Sequence, residues 1–207
     1  ASWGGTLGPA TLLKGQDAFR GWINVAGVHD PKGLYGEYLV RLPEMARAQI
    51  AAGNSTSHWE GVLELVEEVG EIYSEEDFFR LNNAAHNSEA VLAEDMVTNE
   101  IQFLDEYGSP QQFPVRNNGM IMSILTQNGL WEDVSFTSRL PEITLPSLIF
   151  WGENDLIVPP RFAQEAYDHL GATHKELFLF ERSGHSPLLT EPDLFAERVI
   201  TFINELR

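Results

Sequence analysis

The sequence has no cysteine among its 207 residues, so disulfides, thiolate nucleophiles and thiolate metal sites are excluded by inspection. Basic side chains are scarce: 13 Lys and Arg stand against 31 Asp and Glu, a formal net charge of -18. A surface of that sign repels phosphate backbones and releases no counterions on contact with them, so nucleic acid is not expected as a partner. Long apolar runs are missing as well. None approaches the roughly 20 residues that span a bilayer, and no integral membrane segment is expected. The histidines, His29, His58, His86, His169, His174 and His185, show neither H-x-x-x-H nor H-x-H spacing, and neither a metal nor another cofactor is expected. What the sequence does have is a globular composition, 43% hydrophobic and 21% charged, with length enough for one core and a smaller appended subdomain.

The chain opens on Ala1-Ser2-Trp3-Gly4-Gly5-Thr6-Leu7, a glycine-containing turn that runs toward Leu12 and Leu13 as a short helix. Trp22 to Gly27 reads as a buried strand that stops at a glycine. From about His29 to Asp133 the pattern is helical. Ser57-x-x-Glu60 has the form of a capping box, followed at helical spacing by Trp59, Val62, Leu63, Val66 and Val69, with Glu60, Glu64, Glu67, Glu68 and Glu71 on the outer face. A second start is expected at Ser74-Glu75-Glu76-Asp77, and a further helix over Glu89 to Tyr107.

Pro146 to Gly152 is a continuous apolar run bounded by proline and glycine, as a central parallel strand is. A helix over Pro160 to Leu170, a strand over Glu176 to Phe180 and a last helix over Pro192 to Leu206 follow. Phe195, Val199, Phe202, Ile203 and Leu206 form the apolar stripe of that last helix. Strands separated by helices imply a parallel sheet, so the fold class is α/β. Residues 1–28 and 134–207 would form the α/β part, and residues 29–133 a helical insertion.

In open α/β sheets ligands bind beyond the carboxyl ends of the strands, and two reactive side chains fall there. Asp155 lies in Gly152-Glu153-Asn154-Asp155-Leu156-Ile157-Val158-Pro159, and His185 lies in Ser183-Gly184-His185-Ser186-Pro187. Taken singly, each is ordinary loop chemistry. Ser2 changes that reading. A serine nucleophile needs a strained strand-to-helix turn with small neighbours, so that its hydroxyl projects and the next amide faces an oxyanion. Ser2-Trp3-Gly4-Gly5 supplies the downstream half of such a turn.

The order serine, aspartate, histidine, with separations of 153 and 30 positions, resembles an α/β-hydrolase with a helical cap, and the resemblance covers the whole chain. Ser-Trp-Gly-Gly-Thr-Leu is similar to the elbow of proline iminopeptidase-like enzymes and their esterase relatives. Gly-Glu-Asn-Asp-Leu-Ile-Val-Pro and Ser-Gly-His-Ser-Pro resemble the acid and histidine loops. The resemblance implies that Ser2 attacks an ester or amide carbonyl, His185 carries the proton, Asp155 steadies the imidazole, and the Trp3 backbone N–H donates to the oxyanion. Haloalkane dehalogenases and epoxide hydrolases share the Trp-Gly after their nucleophile but use aspartate there, and Ser2 argues against both.

The sequence departs from that pattern in having no strands before the elbow, and with them the loop that donates the second oxyanion amide. The upstream half is therefore expected as a separate chain, as a cleaved segment, or as a segment left out of this one. Any signal peptide would lie upstream too, which leaves the compartment open with a cytoplasmic location the default.

The resemblance implies a small-molecule or short-peptide substrate. The activity it suggests is a proline iminopeptidase-like aminopeptidase, with a carboxylesterase or lactonase as the alternative. Trp59, Phe78, Phe79 and Phe103, at helical spacing, are expected to pack in a core rather than line a pocket. A different class of reading is a non-catalytic α/β-hydrolase-like fragment. It predicts a serine and histidine out of register, whereas catalysis needs them within about 3 Å.

Overall fold

The computed structural model describes residues 1–96 and 134–207. Three parallel strands, β1 (Trp22–Val25), β2 (Ser147–Gly152) and β3 (Lys175–Phe180), lie in the order β1-β2-β3. Trp22 faces Ser147 and Val25 faces Phe150 across the first pair; Ser147 faces Lys175 and Gly152 faces Phe180 across the second. Every residue of β2 is buried, which explains its unbroken apolar run: a central parallel strand is covered on both faces.

Alternate residues of β2 point to opposite faces and enter separate cores. Leu148 and Phe150 join Phe180 and Phe202 on one side, while Ile149 and Trp151 enter the larger cluster on the other. The first core is closed by α7 (Pro192–Glu205), where Phe150 meets Phe180 and Phe195 edge to face at ring separations of 5.1 and 5.0 Å. The expected stripe on this helix is narrower than the sequence implies. Ile203 is largely exposed, because it sits about 100° around the helix from Phe202, which is buried.

The chain enters through α1 (Gly4–Gly15). Between β1 and β2 run α2 (Pro31–Ala52), α3 (Thr56–Val69) and α4 (Glu75–Met96), while α5 (Arg161–His169) joins β2 to β3 and α6 (Pro187–Thr190) precedes α7. Trp59, Phe78 and Leu81 are buried in the larger cluster and Phe79 packs against it, as packing residues should. Phe103 lies outside the described residues. The glutamates at 60, 64, 67, 68 and 71 are exposed, as the outer face of a helix.

The capping box at Ser57 does not form. Gly53, at φ 77°, ends α2, and Ser55 already precedes the first turn of α3, so Ser57 falls inside the helix and is exposed. The start at Ser74 is present: its hydroxyl accepts from the Asp77 amide at 3.1 Å. The separate helix expected from Glu89 does not begin there, because α4 runs unbroken through that position to Met96. The remainder of that expected helix lies outside the described residues.

Candidate active site

Ser2 sits between the end of β1 and the start of α1 with φ 51°, in the left-handed region that a β-carbon disfavours. Hydrogen bonds on both sides of the residue hold it there. Its amide donates to the carbonyls of Val25 and Ala26, both at 3.1 Å, and its own carbonyl accepts from Gly5 at 2.7 Å and Val28 at 3.1 Å. The turn requires glycine where α1 crosses the chain leaving β1. A β-carbon on Gly5 would lie 2.0 Å from the Gly27 carbonyl carbon, so no side chain fits. Thr6 completes the attachment, its hydroxyl donating to the Val28 carbonyl at 2.7 Å. Trp3, the residue just before the first turn of α1, accepts from the Thr6 amide at 3.0 Å.

Asp155 lies in the loop after β2 and is fully buried. Its two oxygens have different tasks. Oδ1 accepts from the Ile157 and Val158 amides at 3.0 and 2.8 Å, and Oδ2 lies 2.9 Å from Nδ1 of His185. The second contact places the proton on Nδ1 and leaves Nε2 as the basic nitrogen of the neutral ring. Burial works against the imidazolium, but the charge and hydrogen bond of Asp155, with the charge of Glu89, outweigh it and raise the pKa of His185 above 6.5.

Main-chain contacts lock the acid and histidine loops together. The Asn154 amide donates to the Ser183 carbonyl at 3.0 Å, and its side chain donates to the Glu181 carbonyl at 3.1 Å. A β-carbon on Gly152 would come within 2.2 Å of the Ser183 and Gly184 carbonyl oxygens, so glycine at the end of β2 admits the neighbouring loop. The Ser183 hydroxyl donates to Glu191 at 2.6 Å, and the same carboxylate accepts from the Arg182 amide at 3.2 Å, pinning the chain just before His185.

Of the residues singled out in the sequence, Asp155 and His185 are brought into direct hydrogen bonding, and Ser2 is held in the backbone shape of a nucleophile elbow. The third link is open: no hydrogen bond joins Ser2 to His185. No group of three or more His, Asp or Glu side chains among the described residues has the arrangement of a metal site.

One residue was missed by the sequence reading. Glu89 reaches from α4 to both loops, Oε1 accepting from the Leu156 amide at 2.7 Å and Oε2 from the His185 amide at 2.9 Å. Burial, then the charge of Asp155, push its carboxyl up to about 7 against the opposing pull of those amides and of His185.

A family model described as serine aminopeptidase, S33, matches residues 1–193. The probable aminopeptidase YbaC of Bacillus subtilis (strain 168) is 35% identical over 92 residues, 44% of this chain and 29% of YbaC. The pimeloyl-(acyl-carrier protein) methyl ester esterase of Vibrio vulnificus (strain YJ016) is 34% identical over 80 residues, 39% of this chain and 31% of the esterase. Among solved structures, proline iminopeptidase from Mycobacterium smegmatis superposes with a TM-score of 0.53 at 19% identity, over 99% of this chain and 63% of that one. An α/β fold family hydrolase from Bacillus anthracis str. Sterne gives 0.53 at 18% identity, over 100% and 65%. The fold is that of the α/β-hydrolases. The matched stretch is about a third of the curated relatives' length and under two thirds of the similar structures.

Proposed function

The chain belongs to the serine aminopeptidase S33 family, and from that premise we propose that it carries the nucleophile, acid and base of a serine hydrolase cleaving an ester or amide through an acyl-enzyme. The observation that carries the reading is the Asp155–His185 hydrogen bond at 2.9 Å beside a serine held at φ 51°. In this reading the Ser2 oxygen attacks the carbonyl carbon while its proton passes to Nε2 of His185. The oxyanion that forms accepts from the Trp3 amide. Collapse of the tetrahedral species breaks the bond to the leaving group, which takes the proton back from His185. Water then repeats the sequence on the acyl-enzyme. In substrate-free sites the serine–histidine hydrogen bond is often long and closes in the complex, which is how the open link between Ser2 and His185 is understood.

For substrate, the reading is a proline iminopeptidase-like aminopeptidase, supported by the family and by the likeness to YbaC. The esterase relative favours a second reading, a carboxylesterase. Residues 29–133 are read as the cap over the site, and residues 1–28 and 134–207 as the part of the hydrolase core that carries it. A segment upstream of the elbow, covalent or separate, is read as the supplier of the second oxyanion donor.

The test is a fluorophosphonate probe on the full-length protein, followed by intact mass and peptide mapping. An adduct on Ser2, absent in Ser2→Ala, is expected; an unlabelled wild type sinks the hydrolase reading. Turnover of proline and alanine arylamides against short acyl esters then separates the two substrates. Esterase activity without arylamidase activity removes the peptidase.

A further inference from the structure

We propose that Glu89 is a positioning residue of this site: its carboxylate ties the acid loop to the histidine loop, so that docking of the helices before β2 and alignment of the imidazole are one event. The inference rests on the reading of His185 as the catalytic base. Three main-chain amides converge on this one side chain. Oε1 takes Leu156 at 2.7 Å and Ile157 at 3.3 Å, and Oε2 takes His185 at 2.9 Å. These donors come from two loops that side chains also join through the Asp155–His185 pair and the Asn154 side-chain amide. A carboxylate is the side chain that can accept on both oxygens without presenting a donor to any of the three amides.

The surrounding backbone leaves room for the Glu89 side chain. A β-carbon on Gly184 would stand 2.6 Å from Glu89 Oε2, so glycine before His185 leaves the carboxylate room to reach the next amide. The Ile157 amide is shared, donating to Asp155 at 3.0 Å as well as to Glu89. The carbonyl of the same residue accepts from the hydroxyl of Tyr38 on α2 at 2.8 Å, and that hydroxyl accepts from Asn82 of α4 at 2.7 Å. Two helices of the insertion therefore grip the acid loop at one residue, and one of them also grips the histidine loop. A passive buried glutamate would need one cation or a few waters. This one replaces both with the main chain on either side of the candidate acid and base.

Protonation would convert one acceptor oxygen into a donor facing an amide and release part of the tie. The groups facing Glu89 are Asp155 from the acid loop, His185 from the histidine loop and Tyr38 from α2. His86, one turn earlier on α4, acts on His185 in turn. Burial first, then repulsion from Asp155, bring Glu89 to about 7, and His185 is raised above its ordinary 6.5, so both groups are protonated on the acid side of neutrality. Full activity then requires both groups deprotonated, and the acid limb of log kcat/KM is steeper than the slope of 1 that His185 gives by itself.

The experiment compares the full-length wild type with Glu89→Gln on whichever ester or arylamide the protein turns over, from pH 5 to 9, and measures fluorophosphonate labelling of Ser2. Expected for E89Q are a fall of tenfold or more in kcat with KM within twofold, slower labelling, and an acid limb of slope 1. Unchanged kcat with an unchanged acid limb overturns the proposal. Should E89Q fail to fold, the backbone amide protons of Leu156 and His185 are followed by NMR in Ser2→Ala. Both are expected to shift together with a midpoint near 7, and amides that do not move together overturn the tie. A wild type that never labels sinks the hydrolase reading and this inference with it. A wild type that labels beside an indifferent E89Q sinks this inference alone.

Discussion

Asp155 spends one oxygen on its own loop and the other on His185, so replacing a single atom separates structure from chemistry. In Asp155→Asn the amide oxygen can keep the Ile157 and Val158 bonds only by turning its NH₂ toward Nδ1, which then has to accept and forces the proton onto Nε2. The expected result is a loss of about 10³ to 10⁴ in kcat with little change in fold, read from ester turnover and circular dichroism. The pH dependence follows from the same pair. His185 has a raised pKa, so on the proposed mechanism the neutral base predominates only above the ordinary 6.5, and the midpoint of the acid limb of the wild-type rate should lie above that value. The sign for stability is opposite. The favourable His185 contribution is fully present below 6.5 and is lost as pH rises through the raised value. The Asp155–His185 contact and the turn at Ser2 were legible because Asp155 and His185 follow strands and Ser2 precedes a Gly4-Gly5 turn. Glu89 was not legible, since it lies mid-helix and 96 positions from the amide it holds.

At the scale of elements, glycines and helix starts decide how precisely the site is held. Gly5 and Gly27 touch backbone to backbone, so Gly5→Ala must force α1 away from β1 and with it the turn that carries Ser2. A loss of about 1 to 3 kcal/mol in urea unfolding is expected, together with slower labelling of Ser2. The helix α4 makes a prediction of the reverse kind. The folded Glu89 holds its proton up to about 7 against an ordinary 4.5, so the folded state grows costlier as pH rises between those values. Across that window the wild type should lose on the order of 2 to 3 kcal/mol relative to Glu89→Gln, measured as the difference in unfolding free energy between pH 5 and pH 8. If the two proteins keep the same difference at both pH values, Glu89 is not buried as a carboxyl. Element type was readable wherever period was clear: β2 as an apolar run, α7 as a stripe, α3 by its glutamate face. Boundaries were not: the close of α2 is marked by Gly53 in the left-handed conformation, a local signal the sequence reading passed over, while nothing local marks the unbroken run of α4 past Glu89.

The whole molecule presents one face that the described residues leave incomplete. The outer edge of β1 pairs with no strand among them, although β1 stands beside the wholly buried β2. An open parallel edge over an apolar core is a template for another strand. The Ser2 amide already donates to Val25, the direction in which a strand leading into the elbow would continue along β1. On the proposal that an upstream segment completes the sheet, residues 1–207 expressed by themselves should not behave as a simple monomer. Their net charge of -18 holds copies apart at low ionic strength, so association through the edge should increase with salt as that repulsion is screened. Light scattering after gel filtration at 20 mM and at about 500 mM salt measures this, the second about half the 1 M at which screening falls within 3 Å. Supplying the upstream segment in trans should give a one-to-one complex, abolish the salt-dependent growth and raise the rate at which Ser2 is labelled. A salt-indifferent monomer whose Ser2 labels equally fast with and without that segment would mean that the edge of β1 needs no partner and that the oxyanion site is complete without one.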